Sequence, residues 1–192
     1  MLSSVFYWLM IIKMYLDIRK ARIEDIDRLV EVINAAYRNQ FGRSWTTEKD
    51  YVKGARISKQ QLISDLNNKN FELYIAQFEE KIIACIGLTL MREFVEIGTF
   101  AIDPDLQNLG IGQRMLSFAE KYIRDTYADV LNINLYVLSV RKELIEYYER
   151  RGFNRTGVVD DYPITAEVGI PLIPLSLVEM TKKLGDWFVC VK

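Results

Sequence analysis

The spacing of apolar positions changes several times along the chain, and each change marks an element. Residues Tyr15 to Ala21 alternate apolar and polar side chains, the pattern of a strand with one buried face. From Glu24 the spacing becomes helical. Ile26, Leu29, Val30, Ile33 and Tyr37 share one face, and Glu24 and Asp25 stand in the first turn, where a helix favours negative charge. Asn39 to Lys53 shows no period and reads as a loop, and a second helix is expected over Ser58 to Asn67. Three strand-like runs follow: Phe71 to Gln77, Lys81 to Met91 and Phe94 to Ile102, with a hairpin expected between the first two. Ile111, Met115, Phe118, Ala119, Tyr122 and Ile123 return to helical spacing, and Asn132 to Ser139 is a further strand. Glu143 to Arg151 predicts a short helix stopped by Gly152, with Phe153 as the apolar residue that follows such a stop. Pro163, Pro171 and Pro174 interrupt the next stretch, before a last strand over Leu175 to Lys183. The order β-α-α-β-β-β-α-β-α-β describes one mixed α/β (α+β) domain whose first strands are antiparallel.

The N-terminus stands apart from this pattern. Met1 to Ile12 is apolar except for Ser3 and Ser4, yet a bilayer-spanning helix needs about 20 such residues. The run also lacks the basic start and small-residue cleavage site of a signal peptide. Residues 1–14 are therefore expected to be an apolar extension or a misassigned start, Met14 being the alternative first residue, and residues 15–192 a single domain.

Charge and composition narrow the chemistry. Lys and Arg number 25 against 26 Asp and Glu, so no overall field recruits nucleic acid or an anionic membrane. Histidine is absent, which removes Ser-His-Asp and Cys-His mechanisms and the commonest metal ligand. The two cysteines, Cys85 and Cys190, cannot build a disulfide framework or a zinc site, and a reducing, cytoplasmic setting is expected, with no metal. Cys85 lies in a continuous apolar run and reads as a small core residue. Proton transfer is left to carboxylates, tyrosine, lysine, cysteine or water.

The most informative segment is Asp103-Pro104-Asp105-Leu106 followed by Gln107-Asn108-Leu109-Gly110-Ile111-Gly112 and an amphipathic helix. A helix N-terminus offers unpaired N–H groups to a phosphate, and glycines let the backbone approach it. A Rossmann turn would place its first glycine directly after the strand and a third where Met115 stands, and the Gly-Lys-Ser/Thr of a P-loop is missing. A plain glycine-rich helix start is the competing reading.

The Q-x-x-G-x-G motif of Gln107 to Gly112 comes about forty residues before Tyr147-Tyr148-Glu149-Arg150-Arg151-Gly152-Phe153. This pair of motifs resembles the GCN5-related N-acetyltransferase superfamily over about residues 15 to 183. The resemblance implies a sheet splayed between its fourth and fifth strands, Phe94–Ile102 and Asn132–Ser139, with acetyl-CoA as co-substrate lying in the gap. It further implies that main-chain groups of Phe100, Ala101 and Ile102 pair with the pantetheine arm. The Gln107–Gln113 turn (Gln107, Asn108, Leu109, Gly110, Ile111, Gly112, Gln113) would hold the pyrophosphate, mainly by N–H groups from Asn108 onward. Tyr148 would protonate the departing thiolate. Where the family often has Asn, this chain has Arg141, which either reaches a phosphate or marks a lost contact.

By the same resemblance Glu96 is the first choice of base for the acceptor amine, against the plainer reading of a strand-edge carboxylate. Tyr37, Trp45 and Glu48 fall in the region that varies most in the family and are candidates for acceptor binding. Trp45 either covers the amine's carbon skeleton or anchors the loop, and Asp160, Asp161 and Tyr162 are expected in a loop bordering the same cleft. The expected activity is acetyl transfer from acetyl-CoA to a primary amine of a small molecule by direct attack in a ternary complex. Alternatives are protein N-acetylation and a noncatalytic acyl-CoA-binding module. The apolar N-terminus and Trp187-Phe188-Val189 are candidate surfaces for a homodimer, a membrane being the weaker alternative.

Overall fold

A computed structural model describes residues 16–38, 44–164 and 168–185. Strand β1 (Asp17–Lys20) leads through a short 3-10 turn into helix α1 (Ile26–Arg38). Asp25 closes that entry: its backbone N–H donates to Arg22 O (3.1 Å), and its carboxylate accepts from Arg22 N–H (2.7 Å) and from both terminal nitrogens of Arg19. Then come β2 (Val52–Lys53), α2 (Lys59–Leu66), β3 (Phe71–Phe78), β4 (Lys81–Leu90) and β5 (Phe94–Ile102). Ser58 caps α2 by accepting from Gln61 N–H (3.1 Å). After the glycine turn follow α3 (Ile111–Thr126), β6 (Asn132–Leu138), α4 (Lys142–Glu149), β7 (Asn154–Asp161), β8 (Ile170–Pro171) and β9 (Ser176–Lys183).

Seven strands form one sheet in the order β1-β3-β4-β5-β6-β9-β7, antiparallel throughout except for β5 beside β6. Strands β3 and β4 lie at its centre and are covered on both faces, which is why their sequences run apolar with little alternation. On one face Leu73, Ile75 and Cys85 meet Leu29, Ile33 and Leu62 of α1 and α2. On the other, Ile83, Ile86 and Leu88 meet Met115, Ala119 and Ile123 of α3, and Phe153.

The parallel pair β5–β6 decides where the site lies. Its ladder runs only from Phe94–Asn132 to Ile97–Leu135, after which the two strands part. On its other edge β5 carries one extra residue: Cys85 faces Ala101 and Gly87 faces Gly98. Within this bulge Thr99 adopts φ +47°, the left-handed region that a β-branched residue seldom enters. Two side chains hold it there. The Cys85 thiol donates to Thr99 O (3.3 Å) and the Tyr37 hydroxyl to Phe100 O (3.0 Å).

Three elements, β2, β7 and β8, differ from the sequence expectation. β7, including Asp160 and Asp161, was expected as loop. Every one of its residues is exposed, so no buried face imprints a period, and the strand is held through its ladder to β9. The expected loop also contains β2, which pairs with β8 in a second, two-stranded sheet too short to leave a pattern. Met1–Met14, Phe41 to Arg43, Trp187–Val189 and Cys190 lie outside the described residues. Among the described residues, no helix is long and apolar enough to cross a membrane.

Candidate active site

The turn after β5 is fixed by local geometry. Asp103 caps the 3-10 turn Pro104–Leu106 by accepting from Asp105 N–H (3.3 Å), and its carboxylate pairs with Arg28 (2.8 Å). Asn108 (φ +64°) and Gly110 (φ +81°) are left-handed, and this double reversal turns the chain into α3. The first N–H to point back up the helix is that of Arg114, which donates to Gly110 O (3.1 Å). The N–H groups of Asn108 to Gln113 therefore precede the helix's own ladder at its positive end, with no backbone partner among the described residues. A Cβ placed on Gly112 would stand 3.2 Å from Ile102 Cδ1 and 3.7 Å from both the Phe100 ring and Tyr147 Oη.

A cavity of about 320 Å³ opens directly onto this turn. Asn108, Gly110, Gly112 and Gln113 line one side, with Phe100 and Ile102 of β5 and Tyr147 and Tyr148 of α4 opposite. A second cavity of about 240 Å³ lies in the gap between β5 and β6, walled by Glu96, Tyr136, Glu48, Arg56 and Tyr162. Tyr37, Phe100, Leu144 and Tyr148 line both. The splayed strands thus hold two chambers with a shared aromatic wall.

Tyr148 is buried, and that burial pushes its phenol well above the ordinary range, with Tyr37 and Tyr147 adding to the shift. It remains protonated at neutral pH and can donate. Tyr37, pushed up to about 12 chiefly by burial, is likewise a fixed donor. Glu96 faces Thr89 on β4 and Asn134 on β6. Burial, and then the neighbouring carboxylate of Glu179, raise its pKa. Glu179 itself is held by Asn134 Nδ2 (3.0 Å), Tyr136 Oη (3.1 Å) and Thr156 Oγ1 (2.7 Å). A carboxylate with a raised pKa on the wall of a cavity is suited to taking up a proton. The Cys85 thiol, pushed up to about 12 by burial, is no nucleophile.

The loop of residues 44–48 closes the site from outside. Gln107 is buried, and its side chain acts as a clamp: the amide oxygen accepts from Trp45 N–H (3.0 Å), while Nε2 donates to Thr46 Oγ1 (3.0 Å), Ser44 Oγ (3.3 Å) and Ile102 O (3.3 Å). Arg141 lies on the same seam. Its guanidinium donates to the carbonyls of Thr47 (2.8 Å), Thr46 (3.1 Å) and Trp45, and to Glu143 Oε1 (2.5 Å). Three of its N–H groups are thus directed at the loop, while the side chain also lines the second cavity. Trp45 lines the chamber at the glycine turn and meets the edge of Tyr147 at 5.3 Å, away from the chamber of Glu96 and Glu48. Its anchored backbone fits the loop-anchor reading. Glu48 lines the second chamber but is ion-paired with Arg38 (2.6 Å). Ala101 and Leu109 pack into the core and line neither chamber.

Arg151 was not anticipated from the sequence. Its guanidinium carbon sits 4.5 Å above the Tyr147 ring, it lines the glycine-turn chamber, and its buried Nε has no hydrogen-bond partner among the described residues. A basic residue just past the end of a helix carries no sequence signal that distinguishes it from a solvated one. Arg56, between the expected loop and the second helix, was likewise missed.

The chain is similar to known proteins in sequence and in fold. The family model described as acetyltransferase (GNAT) family matches residues 27–153. An S-(2-succino)cysteine N-acetyltransferase of Bacillus subtilis is 31% identical over 152 residues, covering 74% of this chain and 86% of that protein. A spermidine N(1)-acetyltransferase of Thermoplasma acidophilum is 26% identical over 152 residues, covering 73% and 89%. Among solved structures, the PaiA N-acetyltransferase of Thermoplasma acidophilum in complex with coenzyme A superposes with a TM-score of 0.62 at 23% identity, over 88% of this chain and 98% of that one.

Proposed function

The chain belongs to the acetyltransferase (GNAT) family and is an N-acetyltransferase, and from that premise we propose that it acetylates the primary amine of a small molecule, using acetyl-CoA, by direct attack with both substrates bound. The observation that carries this reading is the pair of chambers meeting at Tyr148, one under the glycine turn and one beside Glu96. The turn suits an anionic donor: Asn108, Gly110, Gly112 and Gln113, whose N–H groups precede the helix ladder, line its chamber, Gly112 leaves space that a side chain would fill, and the guanidinium of Arg151 stands on the same wall. Two curated relatives act on small molecules bearing amines, spermidine and S-(2-succino)cysteine, and the second chamber, about 240 Å³, matches an acceptor of that size class.

Bound in the first chamber, acetyl-CoA supplies an acetyl thioester. The main-chain groups of β5 beyond Ile97, free of β6, are available to align its pantetheine arm, as backbone pairing would require. An amine arriving as ammonium has no lone pair, so one proton must leave before attack. Glu96, with its raised pKa, accepts that proton directly or through water and passes it to solvent. In the net exchange a C–N bond forms, the C–S bond breaks, and the nitrogen's second proton ends on sulfur by way of the Tyr148 hydroxyl. The test is thiol release: the purified chain with acetyl-CoA should liberate free thiol only when an acceptor amine is added. Release at equal rates with and without any amine would leave hydrolysis, not transfer, as the activity.

A further inference from the structure

The charges on the wall of the second chamber are unequal in what they have left to offer. Four charged residues line it: Glu48, Arg56, Glu96 and Arg141. Glu48 is bound to Arg38 at 2.6 Å, and Arg141 to Glu143 at 2.5 Å and to three loop carbonyls. Arg56 and Glu96 are the two that make no ion pair among the described residues. The chamber therefore presents one uncommitted cation and one uncommitted anion.

Arg56 is placed with some care. Its backbone N–H, and that of Ile57, donate to Asn34 Oδ1 on α1 (2.6 and 3.3 Å), which fixes the chain where it passes the cavity. Its guanidinium lies 5.2 Å from the centre of the Tyr37 ring. Tyr37 in turn donates to Phe100 O and, with Phe100 and Tyr148, forms the wall shared by both chambers. The guanidinium thus stands one aromatic ring away from the place where donor and acceptor meet. The Asp65 carboxylate feels this charge without forming an ion pair with it. A planar guanidinium stacked on a ring and held in no ion pair is matched to a carboxylate, which it grips through two parallel hydrogen bonds. A second ammonium group at the same place would be repelled.

We propose that the acceptor is an α-amino acid, its carboxylate held by Arg56 and its amine thereby set against Tyr148 and Glu96. The proposal rests on the acetyl-transfer reading above and extends it to the class of acceptor. One bond separates the amine-bearing carbon from the carboxylate carbon in such a molecule. That compactness fits an anchor placed beside the shared wall, and it suits a short acceptor better than a long polyamine.

The test is a thiol-release comparison with the full chain, acetyl-CoA, the twenty protein amino acids and S-alkylated cysteines. Each is set against its decarboxylated amine, and spermidine is added. At least one amino acid should exceed its own decarboxylated amine by tenfold or more in kcat/KM. Arg56→Gln should raise the KM for that amino acid roughly 10- to 100-fold while moving kcat far less, the scale of a lost charge-assisted pair. Arg56→Lys should restore part of it, and the melting-temperature rise with acetyl-CoA should survive in both variants. Decarboxylated amines or spermidine serving as well as the amino acids would overturn the proposal. So would an unchanged KM in Arg56→Gln, or transfer to no amino acid by a protein that binds acetyl-CoA. A parent chain that acetyl-CoA does not stabilise fails the donor reading instead.

Discussion

At the scale of single residues, the reactive groups are tuned by what surrounds them. Tyr148 is kept protonated by burial, and in the proposed reaction it donates that proton to the departing thiolate. Tyr148→Phe should bind acetyl-CoA as the parent does but turn over roughly 10- to 100-fold more slowly, the usual cost of a missing acid. An unchanged kcat would assign Tyr148 to packing. The proposed role of Glu96 runs in the opposite sense, since only its deprotonated form accepts a proton. With its pKa raised, activity should climb with pH along an acid limb lying above the ordinary carboxylate value of about 4.3. Glu96→Gln should remove that limb and recover rate only as pH nears the amine's own pKa. Glu179→Gln removes the like charge that helps raise Glu96, so the limb should move to lower pH. A pH–rate profile identical in all three proteins would move the base elsewhere. Arg151 tests the donor chamber. Its unpaired Nε and its seat on Tyr147 predict that Arg151→Met raises the Kd for acetyl-CoA roughly tenfold or more, with a weaker effect at high salt in the parent's favour. An unaltered Kd would make Arg151 a merely stacked side chain.

At the scale of elements, the site depends on one bulge and one turn. The bulge in β5 forces Thr99 into a left-handed conformation and brings the Phe100 carbonyl under Tyr37; the turn from Asn108 to Gly112 lines the chamber ahead of the helix's own ladder. Gly112→Val tests the turn. Its backbone is ordinary helix, so strain is not at issue, but its side chain would enter the space bounded by Ile102, Phe100 and Tyr147. The variant should fold with little loss of stability and lose most of its response to acetyl-CoA in a melting experiment. A full response would show that the donor does not pass this turn. Much of this was legible in the sequence. The apolar spacing of Ile26, Leu29 and Ile33, and of Met115, Ala119 and Ile123, is the imprint of a helix with one buried face. The run Lys81–Leu90 is the imprint of a strand covered on both. β7 left no such imprint, because all eight of its residues are exposed.

At the scale of the whole molecule, ligand and fold are coupled. A donor that binds only the native state stabilises it by about 2.7 kcal/mol at a hundredfold excess over its Kd. For a chain of this size each kcal/mol moves Tm by about 2–4 °C, so saturating acetyl-CoA should raise Tm by roughly 5–10 °C. Differential scanning fluorimetry reads this directly, and a flat Tm would argue against binding at the turn.

The sequence by itself determined the elements with a buried face and the glycine turn, because helical and strand periods report burial within a few residues and a left-handed glycine is a local demand. It also restricted proton transfer to groups other than histidine. Only the tertiary structure decided the use of side chains whose partners lie far away in the chain. That Gln107 clamps Ser44, 63 positions earlier, and that Arg141 donates to Trp45, 96 positions earlier, is visible only in the fold. The like-charge neighbour of Glu96 is Glu179, four strands of chain order later, brought close by the β6–β9 ladder. Arg56 and Arg151 stand out because neither is ion-paired among the described residues, and a missing ion pair is a property of a folded surface that no local pattern encodes.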